Sequence, residues 1–325
     1  MPKQVTILDV ANKSGYGVGT VSRVISGDPH VKASTREKIK AVIKELNFTP
    51  NVNGARLRKK HSGVIAVMVP IINHPFFAEF VEDIDSVAMQ SGYSILLVTS
   101  KMNVEKEKDI LNKIKRKEVD GAVFVTHYEH DNDEIKGCPL VSVDRHLNNH
   151  VPFVSSDNYD STKEAIEYLI STGAKRIGYL GTKPHVESEV MLREKAYLDV
   201  LEEHHLESFL MNEVVDHGEE DKLVDKFIKT YKNVDAVFVS GTSLAHIFYI
   251  RMKKIGKKIP EEMQIISYDG LFNAWDNGES ISCIQQPIKE LAEGAFHLLI
   301  DVINEKEVQR KNIYKSTFIK GDTTK

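Results

Sequence analysis

The sequence predicts an α/β protein in which a small helical head precedes a core of two doubly wound parallel-sheet lobes. Three observations predict this fold class. Residues 6–47 carry helical patterns around a glycine-rich turn. From Gly63 onward, short apolar runs alternate with amphipathic helical segments, which indicates βαβ units in a parallel sheet. A second series of this kind begins near Val151, and 325 residues are enough for more than one hydrophobic core.

The composition indicates a globular protein of a reducing compartment. No apolar run approaches the roughly 20 residues that cross a bilayer, so no membrane partner is expected. The N-terminus has no apolar signal core followed by small residues, so export is not expected. Cys138 and Cys283 are the only cysteines and form no CxxC pair, which argues against structural zinc. We therefore expect a cytoplasmic protein.

The net charge of −4 hides a strong asymmetry along the chain. Residues 1–62 contain 12 Lys and Arg against 4 Asp and Glu, whereas the remaining residues contain 31 against 43. A basic head on an acidic body favours a polyanion as the partner of the head. A basic terminus that is merely solvated is the alternative explanation.

Two short helices and a tight turn begin the head. The segment TILDVANKSG predicts an amphipathic helix with Thr6 as its N-cap, and Gly15 is placed to end it in a left-handed conformation. Gly17 then begins a second helix, VGTVSRVIS, since glycine is tolerated at an N-cap. A nucleotide site is not expected at these glycines, because no strand precedes Gly15 and the GK[ST] ending of a P-loop is absent.

A third helix is predicted over STREKIKAVIKELN. Ser34 or Thr35 is expected to cap it, and Glu37 completes a capping-box pattern. A helix, a tight turn and a second helix form the geometry that places the second helix in the major groove of DNA. The head therefore predicts duplex DNA as the partner of the basic segment.

The stretch from Val5 to Asn51, with TVSRV, STR and ELNFTPN in order, closely resembles the DNA-binding head of the lactose/galactose-repressor (LacI/GalR) family. The resemblance implies a helix-turn-helix head over residues 1–50. It also implies a homodimer on a pseudo-palindromic operator of double-stranded DNA, because a two-fold protein reads two-fold DNA. The residues expected to contact DNA are Thr6, Gly17, Val18, Gly19, Thr20, Ser22, Arg23, Ser26, His30, Thr35, Asn51, Arg56 and Leu57.

The start of the second helix departs from the family pattern. The family usually has Ser or Thr there, followed by two base-reading residues, whereas this chain has Gly17, Val18 and Gly19. Val18 is able to contact a thymine methyl group and Gly19 permits close approach of the backbone, but neither donates a side-chain hydrogen bond. Hydrogen-bonded readout then falls on Thr20, Ser22 and Arg23. Arg23 is the candidate for a bidentate contact to guanine, with a phosphate contact as the alternative.

Residues 51–62, which include NVNGARLRKKHS, are basic and rich in small residues, as is typical of a linker. The resemblance implies a hinge that becomes helical on DNA and inserts a leucine, here Leu57, into the minor groove. Such a wedge kinks the duplex and permits further contacts. Arg56 and the basic residues after it are expected to contact phosphates. The alternative for Leu57 is packing on the core.

Residues 63–325 resemble the periplasmic-binding-protein-like core of the same repressors. The resemblance implies crossovers between lobes near Asp157, Gln286 and Thr317. Lobe 1 is then expected over about 63–157 and 287–317, and lobe 2 over about 158–286 and 318–325. Two such lobes imply a cleft between them, in which a small molecule binds.

Ligands of parallel sheets bind beyond the carboxyl ends of the strands. Residues just after the predicted strands, and family positions represented by Arg193 and Gln286, therefore form the candidate effector site. Carboxylate, amide and guanidinium groups beside an aromatic ring are typical of a site for a sugar or a sugar phosphate. The candidates are Asn73, Phe76, Asp144, Arg145, Arg193, Thr242, Asp269, Trp275 and Gln286. Phe77 is expected to belong to the core.

Gly241 and Thr242 stand where the family usually has Asn-Asp. Loss of that amide and carboxylate weakens recognition of polyols, so one expectation is that a sugar derivative or a phosphorylated sugar replaces the usual sugar effector. The alternative is a regulator of the catabolite-control type, which a protein partner switches instead of a sugar. The resemblance favours the first reading, a repressor of carbohydrate-utilisation genes whose operator affinity a small effector controls.

Nothing in the sequence assembles into a catalytic site. The chain has no GxSxG and no HExxH motif, so we expect no enzyme, no catalytic residue, no cofactor and no metal. The segment HYEHDNDE (residues 127–134) has potential metal ligands at no known spacing and is expected to be a solvated loop. A solute-binding protein is a remote alternative. Such a protein is expected to have an export signal and no basic head, whereas this sequence shows the reverse.

Overall fold

The computed structural model describes residues 5–49, 61–101, 103–125, 128–184, 186–215, 218–270 and 280–325. The chain divides into two compact units, Met1–Ser62 and Gly63–Lys325. The first unit is the helical head and the second is the α/β core, which confirms the predicted fold class. In the described ranges no helix is both long and apolar enough to cross a lipid bilayer.

Within residues 5–49 the head contains three helices: α1 (Ile7–Ser14), α2 (Val18–Ile25) and α3 (Ala33–Glu45). They enclose a small core of Val10, Ala11, Val21, Val24, Ile39 and Phe48. The predicted start of α1 is confirmed, because the backbone N–H of Asp9 donates to Thr6 Oγ1 and that of Thr6 donates to Asp9 Oδ2, at 3.4 and 2.8 Å. Gly15 ends this helix in the left-handed region at φ 74°, also as predicted.

The predicted cap of α3 is wrong. The N-cap is Lys32, which makes no side-chain cap, and the expected caps Ser34 and Thr35 lie within the first turn. The backbone N–H groups of Thr35 and Arg36 donate to the Lys32 carbonyl, so the first turn closes on that residue. Arg36 Nη2 also donates to the Asp28 carbonyl at 2.6 Å and fixes the approach to the helix.

The first sheet of the core has six parallel strands in the order β11-β5-β4-β3-β1-β2. Its strands are β1 (Val64–Val69), β2 (Ser94–Thr99), β3 (Gly121–Phe124), β4 (Leu140–Val143), β5 (Phe153–Ser156) and β11 (Lys311–Tyr314). Its helices are α4 (Pro75–Gln90), α5 (Val104–Lys115), α6 (Asn132–Ile135) and α11 (Ile288–Ile303). Helices α4 and α11 share one apolar cluster with the sheet, and α5 packs in a separate cluster with β1 and β3.

The second sheet has the order β12-β10-β9-β8-β6-β7, and only β12 is antiparallel to its neighbour. Its strands are β6 (Ile177–Thr182), β7 (Phe209–Glu213), β8 (Ala236–Val239), β9 (Gln264–Tyr268), β10 (Ser282–Gln285) and β12 (Thr317–Ile319). Its helices are α7 (Asn158–Ser171), α8 (Met191–Glu203), α9 (Glu220–Thr230) and α10 (Thr242–Lys254). Buried apolar residues cover both faces, as a parallel sheet requires.

The chain passes from one sheet to the other between β5 and α7, between β10 and α11, and between β11 and β12. The tail holds α11 and two strands, β11 and β12. The edge strand β11 is only half buried and lacks an apolar run, so its sequence gives no strand pattern. Thr317 begins β12 of the second sheet, and the N–H of Ser316 before it donates to Asp157 Oδ1 at 2.8 Å, which joins two crossovers.

The expectation of a solvated loop at residues 127–134 is wrong for His130. Its Nε2 lies 2.7 Å from Glu107 Oε2, and neither side chain is exposed. Burial alone lowers the pKa of His130, but hydrogen bonds and charges from Glu107 and Glu134 outweigh it, so the net shift is upward. The loop folds inward because the His130 N–H donates to the Leu147 carbonyl. His127 lies outside the described residues.

Candidate functional site

Helix α2 presents the predicted DNA-reading residues on the side opposite its core contacts. Val21 and Val24 are buried, whereas Val18 is 41% exposed. The other predicted contacts on this helix and the following turn divide by burial: Gly17, Gly19, Arg23, Ser26 and His30 are exposed, and Thr20 and Ser22 are half-buried. Thr35, in the first turn of α3, is also half-buried. One helix face is thus free of packing, as contact with a groove requires.

Other predicted DNA contacts have local partners or lie outside the described residues. The Thr6 hydroxyl donates to Asp9 Oδ2 at 2.7 Å, within the α1 cap. His30 Nδ1 lies 3.0 Å from Asp28 Oδ1, and the hydrogen bonds from His30 hold the pKa of that carboxyl below its usual value. Asn51, Arg56 and Leu57 fall outside the described residues.

A cavity of about 270 Å³ lies in the core at the ends of strands from both sheets. Six predicted effector residues line it: Phe76, Asp144, Arg145, Arg193, Asp269 and Gln286. Asp144 directly follows β4 and Asp269 directly follows β9. Strand β4 is third from the β11 edge of the first sheet, and β9 is third from the β12 edge of the second. Both aspartates have positive φ, 58° and 69°, a backbone region that Asp tolerates better than most residues.

An aromatic wall from the start of α4 closes one side of the cavity. It is formed by His74, Phe76 and Phe77. Phe76 is buried in the core of the first sheet as well, and Phe77, which was expected to be core, is only partly buried. The two phenyl rings meet edge to face with centroids 5.4 Å apart. This wall gives one side of the cavity an apolar, aromatic lining.

Buried polar side chains hold Arg193 in place at the cavity. Arg193 is 4% exposed, its Nε donates to Asn158 Oδ1 at 2.6 Å, and its guanidinium carbon lies 3.4 Å from the centroid of the Tyr268 ring. Asn158 Nδ2 donates to Ser155 Oγ at 3.0 Å, and that hydroxyl donates to Asp144 Oδ1 at 2.7 Å. A continuous hydrogen-bonded chain therefore links Arg193 in one lobe with Asp144 in the other.

A second branch of the network reaches Gln286 and Asp269. Ser156 Oγ donates to Gln286 Oε1 at 2.7 Å, and Gln286 Nε2 donates to Asp269 Oδ1. The Tyr268 hydroxyl lies 3.1 Å from Ser156 Oγ. Ser156 and Gln286 lie at two of the crossovers between the lobes. The polar groups of this branch are therefore next to the segments that connect the lobes.

Burial changes the ionisation of two predicted effector residues. It raises the pKa of Asp144, although Arg193 and Ser155 act in the opposite direction. Burial lowers the pKa of Arg145 to about 10, which leaves it cationic at neutral pH. Acidic, cationic and amide groups thus meet in one cavity, and electrostatic interactions among the buried groups are stronger than in water.

The structure does not bring every predicted residue to the cavity. Asn73 is exposed and does not line it. Thr242 does not line it either, because its hydroxyl turns inward and donates to the carbonyls of Tyr268 and Asp269. Trp275 lies outside the described residues.

Other residues line the cavity and were not predicted. Lys183, Ser240, Gly241, Ser243 and Leu244 are examples. All follow β6 or β8, so the strand-end signal that found Asp144 also applied to them. The supporting partners Ser156, Asn158 and Tyr268 also lie at the ends of β5 and β9, but their roles depend on contacts between residues far apart in the chain.

Next to Asp144, a backbone bridge joins the two lobes. Arg145 and Ser188 form an isolated antiparallel β-bridge. Glu189 N–H donates to the Asp144 carbonyl at 2.8 Å, and His146 N–H donates to the Glu187 carbonyl at 2.9 Å. The Glu189 carboxylate lies 3.2 Å from His146 Nε2 and accepts from Lys311 Nζ at 2.8 Å. We call this set, Asp144–His146 with Glu187–Glu189 and Lys311, the lobe clasp.

Two family models match the chain. The model described as bacterial regulatory proteins of the lacI family matches residues 6–51. The model described as periplasmic binding proteins and sugar binding domain of the LacI family matches residues 62–321. Residues 52–61 separate the two matches, and the second match begins at the boundary between the structural units.

Similar proteins extend over nearly the whole chain. The ribose operon repressor of Halalkalibacterium halodurans is 29% identical over 98% of this chain and 98% of its own length. The sucrose operon repressor of Lactococcus lactis is 30% identical over 93% of each. The crystal structure of the lac repressor dimer bound to operator and an anti-inducer aligns with a TM-score of 0.86, 21% identity and 99% coverage of both chains, a likeness of fold alone.

Proposed function

The chain belongs to the LacI family of bacterial regulatory proteins, and we propose from this premise that it acts in the cytoplasm as a dimeric, effector-controlled repressor of carbohydrate-utilisation genes. Family membership makes the chain a DNA-binding transcriptional regulator and not an enzyme. The observation that carries the effector proposal is the cavity of about 270 Å³ at the strand ends of both lobes, with Asp144, Asp269 and Arg193 in its wall.

The head supplies the DNA contacts. Two heads of a dimer bind the two halves of a pseudo-palindromic operator, each with α2 in the major groove. Arg23 is exposed, and its guanidinium makes no hydrogen bond within residues 5–49, so it is available to a guanine edge. The basic residues after Pro50 add phosphate contacts that are independent of sequence and sensitive to salt.

The cavity supplies the effector site. Carboxylates and guanidinium groups form directional hydrogen bonds with hydroxyls, and the aromatic wall packs against a ring face. Relatives named for ribose and sucrose operons support a sugar or a sugar phosphate as the effector class. Asp144 belongs to one lobe and Arg193 to the other, so a ligand that contacts both residues changes the relative stability of lobe arrangements.

Effector binding and operator binding are then linked through one equilibrium. A coupling of about 1–3 kcal/mol is normal for such a switch. A ligand that favours the arrangement incompatible with DNA acts as an inducer, and one that favours the DNA-bound arrangement acts as a co-repressor.

The test is selection of operator DNA by the purified full chain. We expect enrichment of a pseudo-palindromic duplex from a random pool, with affinity that falls steeply as salt rises. Addition of sugars and sugar phosphates to the selected complex, followed by fluorescence anisotropy, identifies the effector. Absence of any preference over shuffled duplexes at physiological ionic strength contradicts the proposal. Operator selection without a response to any sugar favours a protein partner as the switch.

A further inference from the structure

Three strands of the first sheet begin side by side at the end where the chain enters the core. Gly63 is the first residue of the core unit and directly precedes β1. Its N–H donates to Asp120 Oδ2 at 2.8 Å, and the Asp120 N–H donates to the Val64 carbonyl at 2.8 Å, which joins the starts of β1 and β3. The Ala122 N–H donates to the Pro139 carbonyl at 3.0 Å and joins the start of β4. The segments before these strands therefore form one surface.

Exposed cations are concentrated in these segments: Lys115, Arg116, Lys117 and Lys136. We call these four residues the linker-side patch, because residues 51–62, the predicted linker, join the core next to them. Burial raises the pKa of the Cys138 thiol, and the charges of Lys115 and Lys117 act against this increase, so both cations lie near that residue.

The linker-side patch keeps most of its positive charge. Arg116 Nη1 lies 4.0 Å from Glu118 Oε1, but both side chains are exposed and solvent screens the pair. Lys115 Nζ donates to the Glu134 carbonyl at 2.6 Å, an oxygen without a formal charge. The two other cations of the patch form no ion pair within the residues that the structure describes. In a core where 43 acidic residues face 31 basic ones, this surface is locally positive.

The fold explains only part of this cluster. Basic side chains near the end of α5 stabilise the helix, because they face its partial negative charge, and this applies to Lys115 and Arg116. Lys117 follows with a positive φ of 60°, a left-handed conformation that costs about 1 kcal/mol or more and that glycine or asparagine adopts more readily. A lysine retained on a strained backbone favours a role of its side chain outside the fold.

Duplex DNA is the partner that suits this surface. A duplex carries about one negative charge per 1.7 Å of its axis, and lysine and arginine neutralise its phosphates. Residues 51–62 span no more than about 40 Å even when fully extended. A duplex bound by the head is therefore tethered to this end of the core, which raises its effective concentration at the patch. An acidic protein, the alternative partner, has a lower charge density and no such tether.

We propose that the linker-side patch is a second DNA-contact surface, which binds phosphates of the duplex that the head holds. This proposal rests on the proposed function, since the head selects the operator. Side chains that contact phosphates position a duplex but carry no information about its sequence. The patch therefore strengthens the binding of every duplex to the same extent, whereas α2 distinguishes the operator from other sequences.

The first experiment removes two cations of the patch from the full chain. Lys117→Asn is combined with Lys136→Gln, and asparagine also relieves the strained backbone at position 117, so the melting temperature is expected to stay equal or rise. Affinity for the selected operator at about 0.1 M salt, measured by fluorescence anisotropy, is expected to fall by about tenfold or more. An equal loss is expected on a shuffled duplex.

The salt dependence of the same variant counts the lost contacts. A dimer loses about four phosphate contacts, each of which contributes about 0.9 to the slope of log affinity against log salt. The slope is therefore expected to become shallower by about 2 or more.

Lys254→Gln combined with Lys258→Gln is the matched control. Both lysines are exposed, and they lie at the end of α10 and just before β9. Because the strands of both sheets end at the cavity, these lysines lie at the opposite end of the core from Gly63. The control loses the same charge, and its affinity is expected to stay within about twofold of that of the unchanged chain, since salt screens distant charges.

A second experiment tests proximity directly. Lys117→p-benzoylphenylalanine, with Lys258→p-benzoylphenylalanine as its control, is bound to the operator and irradiated. A covalent adduct between protein and DNA is expected for the first variant and not for the second.

Unchanged affinity and salt dependence in the variant without Lys117 and Lys136 overturn the proposal and leave an acidic protein as the partner to test. Equal losses in this variant and its control also overturn it, because they show an effect of net charge alone. So does a loss confined to the operator, or the absence of an adduct at position 117. Failure of the unchanged chain to select any operator removes the proposed function itself.

Discussion

Arg193 reaches the cavity with its guanidinium already oriented by the protein. Asn158 accepts from its Nε at 2.6 Å, and the Tyr268 ring lies 3.4 Å below its guanidinium carbon. Because the side chain is fixed before a ligand arrives, little conformational entropy is lost on binding. We therefore expect Arg193 to carry much of the effector response that we propose.

Replacement of Arg193 by Ala is expected to weaken effector binding by about tenfold or more while operator affinity without effector stays the same, since a charged hydrogen-bond donor is lost only at the cavity. The measurement is operator release, by fluorescence anisotropy, as a function of effector concentration. Lys195→Ala is the matched control on the same helix, because Lys195 is exposed and pairs with Asp199. Normal effector response in Arg193→Ala would show that the cavity is not the effector site.

Among the elements, α2 combines an apolar inner face with two glycines at its start, Gly17 as the N-cap and Gly19 in the first turn. An added Cβ at Gly17 or Gly19 meets nothing within 4 Å, so packing within the head requires neither glycine. Gly19 lies inside the helix, where glycine is less favourable than alanine by about 1 kcal/mol. The helix therefore gives up stability at a position where we expect its own backbone to approach the DNA closely.

Gly19→Ala is expected to stabilise α2 by about 0.5–1 kcal/mol, because the unfolded chain loses conformational freedom and the helix gains no clash. Amide hydrogen exchange of α2 is the measurement, with slower exchange as the expected result. Gly17→Ala is the control at the N-cap, where alanine is not favoured, so no slowing is expected there. Operator affinity measured on the same variants tests the proposed backbone approach: a loss is expected for Gly19→Ala, and an unchanged affinity contradicts it.

At the scale of the whole core, the lobe clasp adds non-covalent links to the three covalent crossovers. Glu189 is 7% exposed and is held between His146 and Lys311 of the other lobe. The hydrogen bond from His146, together with Lys311, outweighs burial and holds the pKa of Glu189 below its usual value. The clasp includes Asp144, which lines the cavity, so the strength of the clasp and the shape of the cavity depend on each other.

Glu189→Gln is expected to destabilise the chain by about 1–3 kcal/mol at pH 7, since hydrogen bonds to a charged group are lost. A carboxyl whose folded-state pKa is lowered stabilises fully above its unfolded-state value, here 4.5, and loses that contribution as pH falls through the lower folded-state value. Thermal unfolding from pH 7 to pH 3 is therefore expected to show a difference between the two proteins that shrinks below about pH 4.5.

The exposed pair of Lys163 and Glu203, 2.8 Å apart in the second lobe, provides the control for this variant. Glu203→Gln is expected to change stability by no more than about 1 kcal/mol, because solvent screens an exposed ion pair. Equal losses of stability in the two variants would contradict a stabilising role of the Glu189 carboxylate. So would a loss of stability in Glu189→Gln that is independent of pH.

The order of the residues alone determined the fold class, the helical head, the basic head and acidic body, and the positions of Asp144 and Asp269 at strand ends. Those features depend on local periodicity and on the rule that carboxyl ends of parallel strands share an edge, so nearby residues suffice to predict them. Folding decided the rest: the cap of α3 at Lys32, the inward turn of Thr242, the burial of His130, and the partners that hold Arg193. These features depend on groups that are distant in the chain and meet only in the folded core. A buried polar group needs a hydrogen-bond partner, and its neighbours in space decide which partner it has.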